Sequence, residues 1–587
     1  MQVGADTGGT FTDVVADDGM VVKVPSTPAD PSDALRQGLA GFGPPDRLAH
    51  GTTVATNALL ERRGAAVALM TTRGFADVIE IGRQDRPSLY DSDADRPEPL
   101  VPRRWRLEVD GRLAADGSEV AAVGDVPEVP AGVEAVAVCL LHSDLDPGHE
   151  EAVAAVLAGR GLDVSRSSAV SPEFREYERT VTTVVNAYLR PVLRAYLRRL
   201  AGLAGEVVVM TSAGGLVPAD EVAEVPAALL LSGPAGGVRA ASAVAAACGW
   251  PGALSFDMGG TSTDVCLIRD GAPEPAAERQ VAGLPVRLPS LDIHTIGAGG
   301  GSVARIDAGG ALVVGPESAG AEPGPACYGR GGRRATVTDA DLVLGRIPDD
   351  AAFPGLGSLD VAAARDALEA AGVPPEGVVA VVDAAMERAL RAVSVARGVD
   401  PRGLALVAFG GAGPLHACAL AEALDMPVVI VPPRAGVLSA VGLLSAPVQR
   451  DAVRSWPTPA DHTGLEAALA GLADSVGRAV AGARVTTAVD CRYAGQSHEL
   501  TVPDAAAFPA EHRRRNGFER PGAPVEVVAL RARATGPAPL ELEDLPPVAR
   551  RAVVGPAVVA EPDCTIWVAG GWRADPGPIG ALMMTRT

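Results

Sequence analysis

Asp6-Thr7-Gly8-Gly9-Thr10-Phe11-Thr12-Asp13-Val14 returns 251 residues later as Asp257-Met258-Gly259-Gly260-Thr261-Ser262-Thr263-Asp264-Val265, with seven of the nine positions identical. Each copy is led in by an apolar stretch (Val3-Gly4-Ala5; Leu254-Ser255-Phe256) and followed by a β-rich one (Phe11 to Val15; Val265 to Ile268) that stops at Asp18-Gly19 or Asp270-Gly271. Each therefore reads as strand, glycine turn, strand. A turn carrying Gly-Gly bares successive backbone N–H groups with no side chain in the way, as close approach to phosphate oxygens requires. One Asp-Gly-Gly alone is an ordinary turn. Two copies with matched flanks predict a pair of phosphate-holding hairpins that can face each other across a cleft.

The rest of the chain frames those hairpins. Its 587 residues, 47% of them hydrophobic, exceed a single ordinary core and predict two or three domains. Strand-like apolar runs (207–210, 404–409, 428–431) alternate with Ala-rich helical stretches such as 381–396, which is an α/β pattern. Residues 175–200 place Val181, Val184, Tyr188 and Val192 at helical spacing, an amphipathic helix with a kink expected at Pro191. The expected division is a first lobe over 1–200, a second over 201–450, and a smaller C-terminal region over 451–587, where the glycine-loop signals stop.

Charge and composition exclude some function classes. Lys plus Arg total 51 against 72 Asp plus Glu, a net −21 that repels a nucleic-acid backbone. Seven scattered cysteines form no C-x-x-C pair and read as reduced, mostly buried thiols. No apolar run approaches the roughly 18 residues of a membrane span, and the N-terminus lacks a basic, then apolar, leader pattern. A cytoplasmic protein bound to neither nucleic acid nor membrane is expected.

Chemistry is assigned to the glycine loops first. Gly8, Gly9, Gly259 and Gly260 offer backbone donors to the phosphates of a nucleotide, the hydroxyls of Thr7, Thr10, Thr261 and Thr263 add to them, and Asp6 and Asp257 hold a hydrated Mg2+. Asp13 and Asp264, each three residues past its loop threonine, either orient water or metal or cap the hairpin. A third loop, with Gly410, Gly411 and Gly413, joins an apolar run to a helix-forming stretch and is either a packing junction or a bare surface for an adenine ring. A fourth, Gly299-Gly300-Gly301-Ser302, is too glycine-dense for a plain turn, since each Gly costs roughly 1 kcal/mol in an ordinary element, and is expected to line the same cleft. His50, Thr52, Thr53 and Asn57 form a polar cluster that reads equally as contacts to substrate or γ-phosphate and as a helix cap. Arg83, with Gln84 and Arg86, is either a grip on a substrate carboxylate or imide or a solvated, ion-paired loop. His142, His149 and Glu150 fit no zinc spacing, and Cys327 has no base placed beside it, so structural roles are expected for these.

The order Asp-x-Gly-Gly-Thr, Asp-x-Gly-Gly-Thr, Gly-Gly-x-Gly resembles the ATP-binding core of the actin-like ATPase superfamily. This implies a two-lobed α/β fold of the acetate and sugar kinase/Hsp70/actin type, with a smaller C-terminal region. More specifically, the strings His50 to Asn57, Gly74-Phe75-Ala76-Asp77 through Gly82-Arg83-Gln84, Glu176-Tyr177-Glu178-Arg179, Gly315 to Gly320, Pro323 to Gly329, Thr336 to Asp341 and Arg492 to Gln496 resemble the hydantoinase A/5-oxoprolinase family over nearly the whole chain. The resemblance implies ATP and Mg2+, a B-type partner subunit in a heteromer, and a cyclic amide (hydantoin, 5-oxoproline or a similar lactam) whose oxygen is phosphorylated for ring opening. It leaves open an acetone carboxylase-like subunit that activates a ketone or bicarbonate, and a regulatory actin- or Hsp70-like ATPase. Two departures stand out. Ala213 in Thr211-Ser212-Ala213-Gly214-Gly215 takes a place where the resemblance leads one to expect Asn, which removes one implied polar contact, and the C-terminal region is abbreviated.

Overall fold

The structure, a computed structural model, describes residues 1–27, 30–91, 93–349, 352–353 and 357–587. Each copy of the repeat is a β-hairpin, and the two hairpins share one register. Strand Gln2–Thr7 pairs antiparallel with Phe11–Ala16, setting Asp6 opposite Asp13, and Ala253–Met258 pairs with Thr263–Arg269, setting Asp257 opposite Asp264. Equivalent bonds close the turns: Gly8 N–H donates to Phe11 O at 3.0 Å, and Gly259 N–H to Ser262 O at 3.1 Å.

A mixed α/β fold grows outward from these hairpins in the same way twice. The first strand of each has a parallel neighbour, Arg47–Thr52 in the first half and Ala405–Phe409 in the second, followed by a further parallel strand, Glu206–Met210 or Val428–Val431. Central parallel strands are covered on both faces, so they read as continuous apolar runs. Every residue of Ala405–Phe409 and Val428–Val431 is indeed buried.

The first half carries a second, inserted sheet of four parallel strands (Arg106–Val109, Val67–Thr72, Ala135–Cys139, Asp163–Arg166). Helix Glu176–Leu200 lies between the two sheets: one core joins Val3 and Leu48 of the main sheet, Leu69 and Ala137 of the inserted sheet, and Val184 and Leu189 of the helix. This placement explains why the helix is buried without a break from Glu178 to Leu189, where the sequence suggested a two-faced helix. It also runs unbroken through Pro191. Its charges suit the helix dipole, with Glu176 and Glu178 in the first turn and Arg198 and Arg199 in the last.

The tail does not stay apart as one region. Strands Gln449–Ser455, Val525–Thr535, Arg484–Tyr493 and Leu500–Val502 build a separate antiparallel sheet under helix Leu465–Ala479. The chain then returns to the second main sheet, where Leu582–Arg586 pairs antiparallel with Val428–Val431 and Trp572 is fully buried. The two halves meet through helices Gly233–Ala247 and Leu438–Ser445, which touch backbone to backbone. A Cβ on Gly442 would stand 1.9 Å from Gly236 O, and one on Gly4 2.2 Å from Ala440 O, so only glycine permits this approach. Among the described residues no helix is long and apolar enough to cross a membrane, and all seven cysteines are free.

Candidate active site

The ends of the two hairpins converge. Thr10 Oγ1 of the first turn lies 3.5 Å from where a Cβ on Gly260 of the second would stand, and Gly9 and Gly411 have open space around them. At the strand ends beside the turns sit four carboxylates, paired Asp6 with Asp13 and Asp257 with Asp264. Burial, then Asp13, pushes the Asp6 carboxyl up to about 7, with Asp264 of the other hairpin adding to the shift. Burial raises Asp257 well above its usual range, reinforced by Asp264, Asp6 and Asp13. Asp264 rises to about 6 through burial, against the bond it accepts from Thr295 Oγ1 at 2.5 Å. Asp13 is also raised by burial, although Lys23 Nζ stands 2.7 Å from its Oδ1. Like charges gathered in a dry site each favour the protonated form, and one lysine does not balance four carboxylates.

Each loop aspartate rests on a glycine of the parallel strand or loop beside it. A Cβ on Gly51 would stand 2.7 Å from Asp6 Oδ1, and one on Gly410, whose φ is +81°, would stand 2.4 Å from Asp257 Oδ1. The sequence left Gly410, Gly411 and Gly413 open between a packing junction and a nucleotide surface. Gly410 and Gly413 pack directly on the second hairpin, with Ala412 N–H donating to Met258 O at 3.0 Å, and only Gly411 presents open backbone.

Other expected residues take supporting places. Gly299, Gly300 and Gly301 are buried behind the second turn rather than along its open side: Gly300 N–H donates to Gly259 O at 3.0 Å and Gly301 N–H to Gly260 O at 2.7 Å. Ser302 Oγ accepts from Gly299 N–H at 2.9 Å. Thr263 is fully buried and donates its hydroxyl to Ala298 O at 2.6 Å, so it fastens the loop and is not free for phosphate. Thr7 Oγ1, by contrast, is buried without a partner; Thr10 is half-buried and Thr261 exposed.

His50 is a structural residue. Its Nδ1 must carry the proton, because it bonds Ala5 O at 3.0 Å, so Nε2 accepts from Tyr196 O–H at 2.7 Å. Burial depresses it to about 4, and it ties the strand beside Asp6 to the long helix. Thr52 is buried and its Oγ1 accepts from Val54 N–H. Thr53 Oγ1 donates to Thr7 O at 3.3 Å, which sets it against the first loop, while Asn57 is exposed and reaches Thr53 Oγ1 at 3.4 Å. Arg83 forms a two-pronged pair with Glu178, Nε to Oε1 at 2.7 Å. The neighbouring Arg179 is fully buried on Asp144 and Leu140 O. Glu150 accepts from Leu140 N–H, Ser167 Oγ and Ser168 N–H, and Cys327 is a buried thiol pushed up by its surroundings. Sequence reasoning missed Lys23, Thr295 and Gly51. The third strand of each hairpin holds the signal for two of them, since Lys23 falls opposite Asp13 and Thr295 opposite Asp264 in register.

The donor set fits a divalent cation. Asp6 Oδ1 and Thr7 Oγ1 are buried with no hydrogen-bond partner among the described residues, and hard oxygen ligands in a site of excess negative charge suit Mg2+.

Comparison with known proteins matches this architecture. Residues 2–161 match the hydantoinase/oxoprolinase N-terminal region and residues 179–452 the hydantoinase/oxoprolinase model. The caprolactamase subunit alpha of Pseudomonas jessenii is 33% identical over 100% of this chain and 99% of its own. The 5-oxoprolinase 1 of Arabidopsis thaliana is 38% identical over 76% of this chain and 41% of its own length. A crystal structure of an ATP-dependent caprolactamase from Pseudomonas jessenii superposes with a TM-score of 0.85 at 31% identity, covering 100% of both chains. Acetone carboxylase in a nucleotide-free structure shares the fold, with a TM-score of 0.76 at 24% identity over 100% of this chain and 99% of its own. The chain belongs to the hydantoinase/oxoprolinase family.

Proposed function

We propose that this chain is the ATP-handling subunit of a cyclic amide hydrolase: an actin-like, two-lobed ATPase that binds Mg-ATP between its paired hairpin turns and moves the γ-phosphoryl group onto a lactam oxygen. The observation that carries this is the meeting of two Gly-Gly turns beside four clustered carboxylates, Asp264 buried and Asp6, Asp13 and Asp257 half-buried. Relatives named for caprolactam and 5-oxoproline hydrolysis support the substrate class.

The chemistry suits the site. A lactam carbonyl is stabilised by resonance, so direct attack by water is slow. Transfer of phosphoryl from ATP forms a bond from phosphorus to the carbonyl oxygen and breaks the bond to ADP. The carbon then accepts water, the C–N bond breaks, and a second water displaces phosphate with the original carbonyl oxygen attached. For the transfer the protein supplies position and charge stabilisation: the N–H groups of Gly9 and Gly260, since those of Gly8 and Gly259, expected from the sequence to face phosphate, are spent on Phe11 O and Ser262 O, with the Thr7 hydroxyl, and Thr10 and Thr261 at the turn tips. Mg2+, held by Asp6 and Asp257 through water, would neutralise phosphate charge. Asp13, pinned by Lys23, and Asp264, pinned by Thr295, position the two loop aspartates. A second, B-type subunit completes ring opening, in keeping with a relative that is itself called a subunit alpha.

The test is ADP formation by the chain with its partner subunit, offered hydantoin, 5-oxoproline, caprolactam, or acetone with bicarbonate. Turnover that depends on a cyclic amide is expected. Turnover only with acetone and bicarbonate, or indifferent to all four, would refute the assignment.

A further inference from the structure

Two arginines in the wall beside the first hairpin have no carboxylate partner among the described residues. Strand Glu206–Met210 ends at the same edge of the main sheet as Asp6 and Thr52, because Val209 lies opposite His50 and His50 opposite Ala5. The loop that leaves it is rigid: Thr211 N–H and Oγ1 both donate to Gly215 O, and Ser212 N–H donates to Ala228 O. Two strand spacings, about 10 Å, separate this loop from the first phosphate turn.

Arg279 and Arg239 both close on it. Arg279 donates from Nη2 to Ser212 Oγ, and Arg239 Cδ lies 3.2 Å from where a Cβ on Gly214 would stand. The Arg279 Nε is sealed from solvent with no partner, and among the described residues neither arginine has an ion pair. The neighbouring arginines are treated differently: Arg287 pairs with Glu173 and Glu499, and Arg531 with Glu173 and Asp490. Burial depresses Arg279 to about 9; it lowers Arg239 as well, with Arg533 adding like charge. Beside them Ala213 is buried and Leu291 Cδ1 lies 3.1 Å from the same Gly214 position. Both arginines are half-buried; a partly desolvated cation without a counter-charge is costly and suits a site that an anion completes.

We propose that Arg279 and Arg239 bind a carboxylate of the substrate, so that the lactam this enzyme opens is one that carries a carboxylate, with its ring amide directed toward Asp6 and Thr7. This rests on the ATP-dependent amide chemistry proposed above. It gives Arg279 the planar two-pronged contact that guanidinium makes with carboxylate, and the span of about 10 Å leaves room for a small ring and the phosphoryl group.

Calorimetric titration of the full chain with 5-oxoproline, 2-pyrrolidinone (the same ring without carboxylate) and bicarbonate tests it, with ATP titrated separately. The wild type should hold 5-oxoproline at least tenfold more tightly than 2-pyrrolidinone. Arg279→Gln should abolish that preference, Arg279→Lys keep part of it, and both leave ATP affinity unchanged. Arg279→Met should raise the melting temperature of the free chain, because it removes a half-buried charge that has no ion pair among the described residues. Equal affinity for the two lactams, binding of bicarbonate alone, or a lower melting temperature in Arg279→Met would overturn the proposal. Failure of the wild type to bind ATP would instead refute the reading on which it rests.

Discussion

Thr10 and Gly260, one from each hairpin turn, meet across the cleft, with Thr10 Oγ1 3.5 Å from the position a Cβ on Gly260 would take. A duplicated sequence has become a pair of facing loops, and the proposed function puts the phosphates of ATP beside them. Gly260→Ala fits at ordinary contact distance and should leave ATP affinity near wild type. Gly260→Val fills the gap and should weaken ATP by about tenfold or more, equivalent to about 1.4 kcal/mol, with no change in melting temperature. Titration of ATP into the two variants checks the contrast.

The second turn leans on bare backbone. A Cβ on Gly299 would stand 2.8 Å from Gly259 O and 2.9 Å from Thr261 N, and backbone cannot yield as a side-chain tip can. Gly299→Ala should cost about 1–3 kcal/mol, read as a lower urea midpoint, and should lose ATP turnover because the loop is displaced.

Asp6 and Asp257 are held at the expense of stability. Burial and like charge raise both, so Asp6→Asn and Asp257→Asn should melt at or above the wild-type temperature while losing at least about a hundredfold in turnover. A fall in stability matching the fall in activity would show instead that these carboxylates are structural.

How much of this was legible in the sequence follows from range. The hairpins were, because strand, Gly-Gly turn and strand are contiguous and occur twice, and the buried parallel strands were, because they read as unbroken apolar runs. The return of Leu582–Arg586 to Val428–Val431 had no local sign, since the partners are far apart in the chain. At the site, residue type was a better guide than role. His50, Thr263 and the 299–301 glycines lie at or beside the two hairpins, yet bonds to Tyr196, Ala298 and the Gly259–Gly260 backbone make them supports. Arg83 read either as a substrate grip or as an ion-paired loop, and Glu178, on a helix far along the chain, decides for the ion pair. Arg239 and Arg279 gave no signal at all, because what distinguishes them is a missing partner.

Two buried histidines set opposite pH limits. The folded value of His50 is about 4, below the ordinary 6.5, so its contribution is complete above pH 6.5 and is lost as pH falls through about 4, worth about 3 kcal/mol. For His416, burial works to lower the value, but Asp341 and Asp383, the latter 2.7 Å from Nδ1, override it and raise it to about 10. Its contribution is complete below pH 6.5 and is lost as pH rises through about 10. Urea midpoints measured across that range should fall at both ends. His50→Gln should flatten the acid limb and His416→Gln the alkaline one, and the reverse pattern would contradict these assignments.

The central claim is that ATP bound between the twin turns phosphorylates the lactam oxygen. It is tested most directly by single turnover with a lactam labelled with 18O at its carbonyl, in the presence of the partner subunit, followed by mass analysis of the inorganic phosphate. The account predicts that the label moves into phosphate, one atom per ring opened, and that Asp6→Asn and Asp257→Asn abolish the transfer. Ring opening with all of the label retained in the product carboxylate would contradict it.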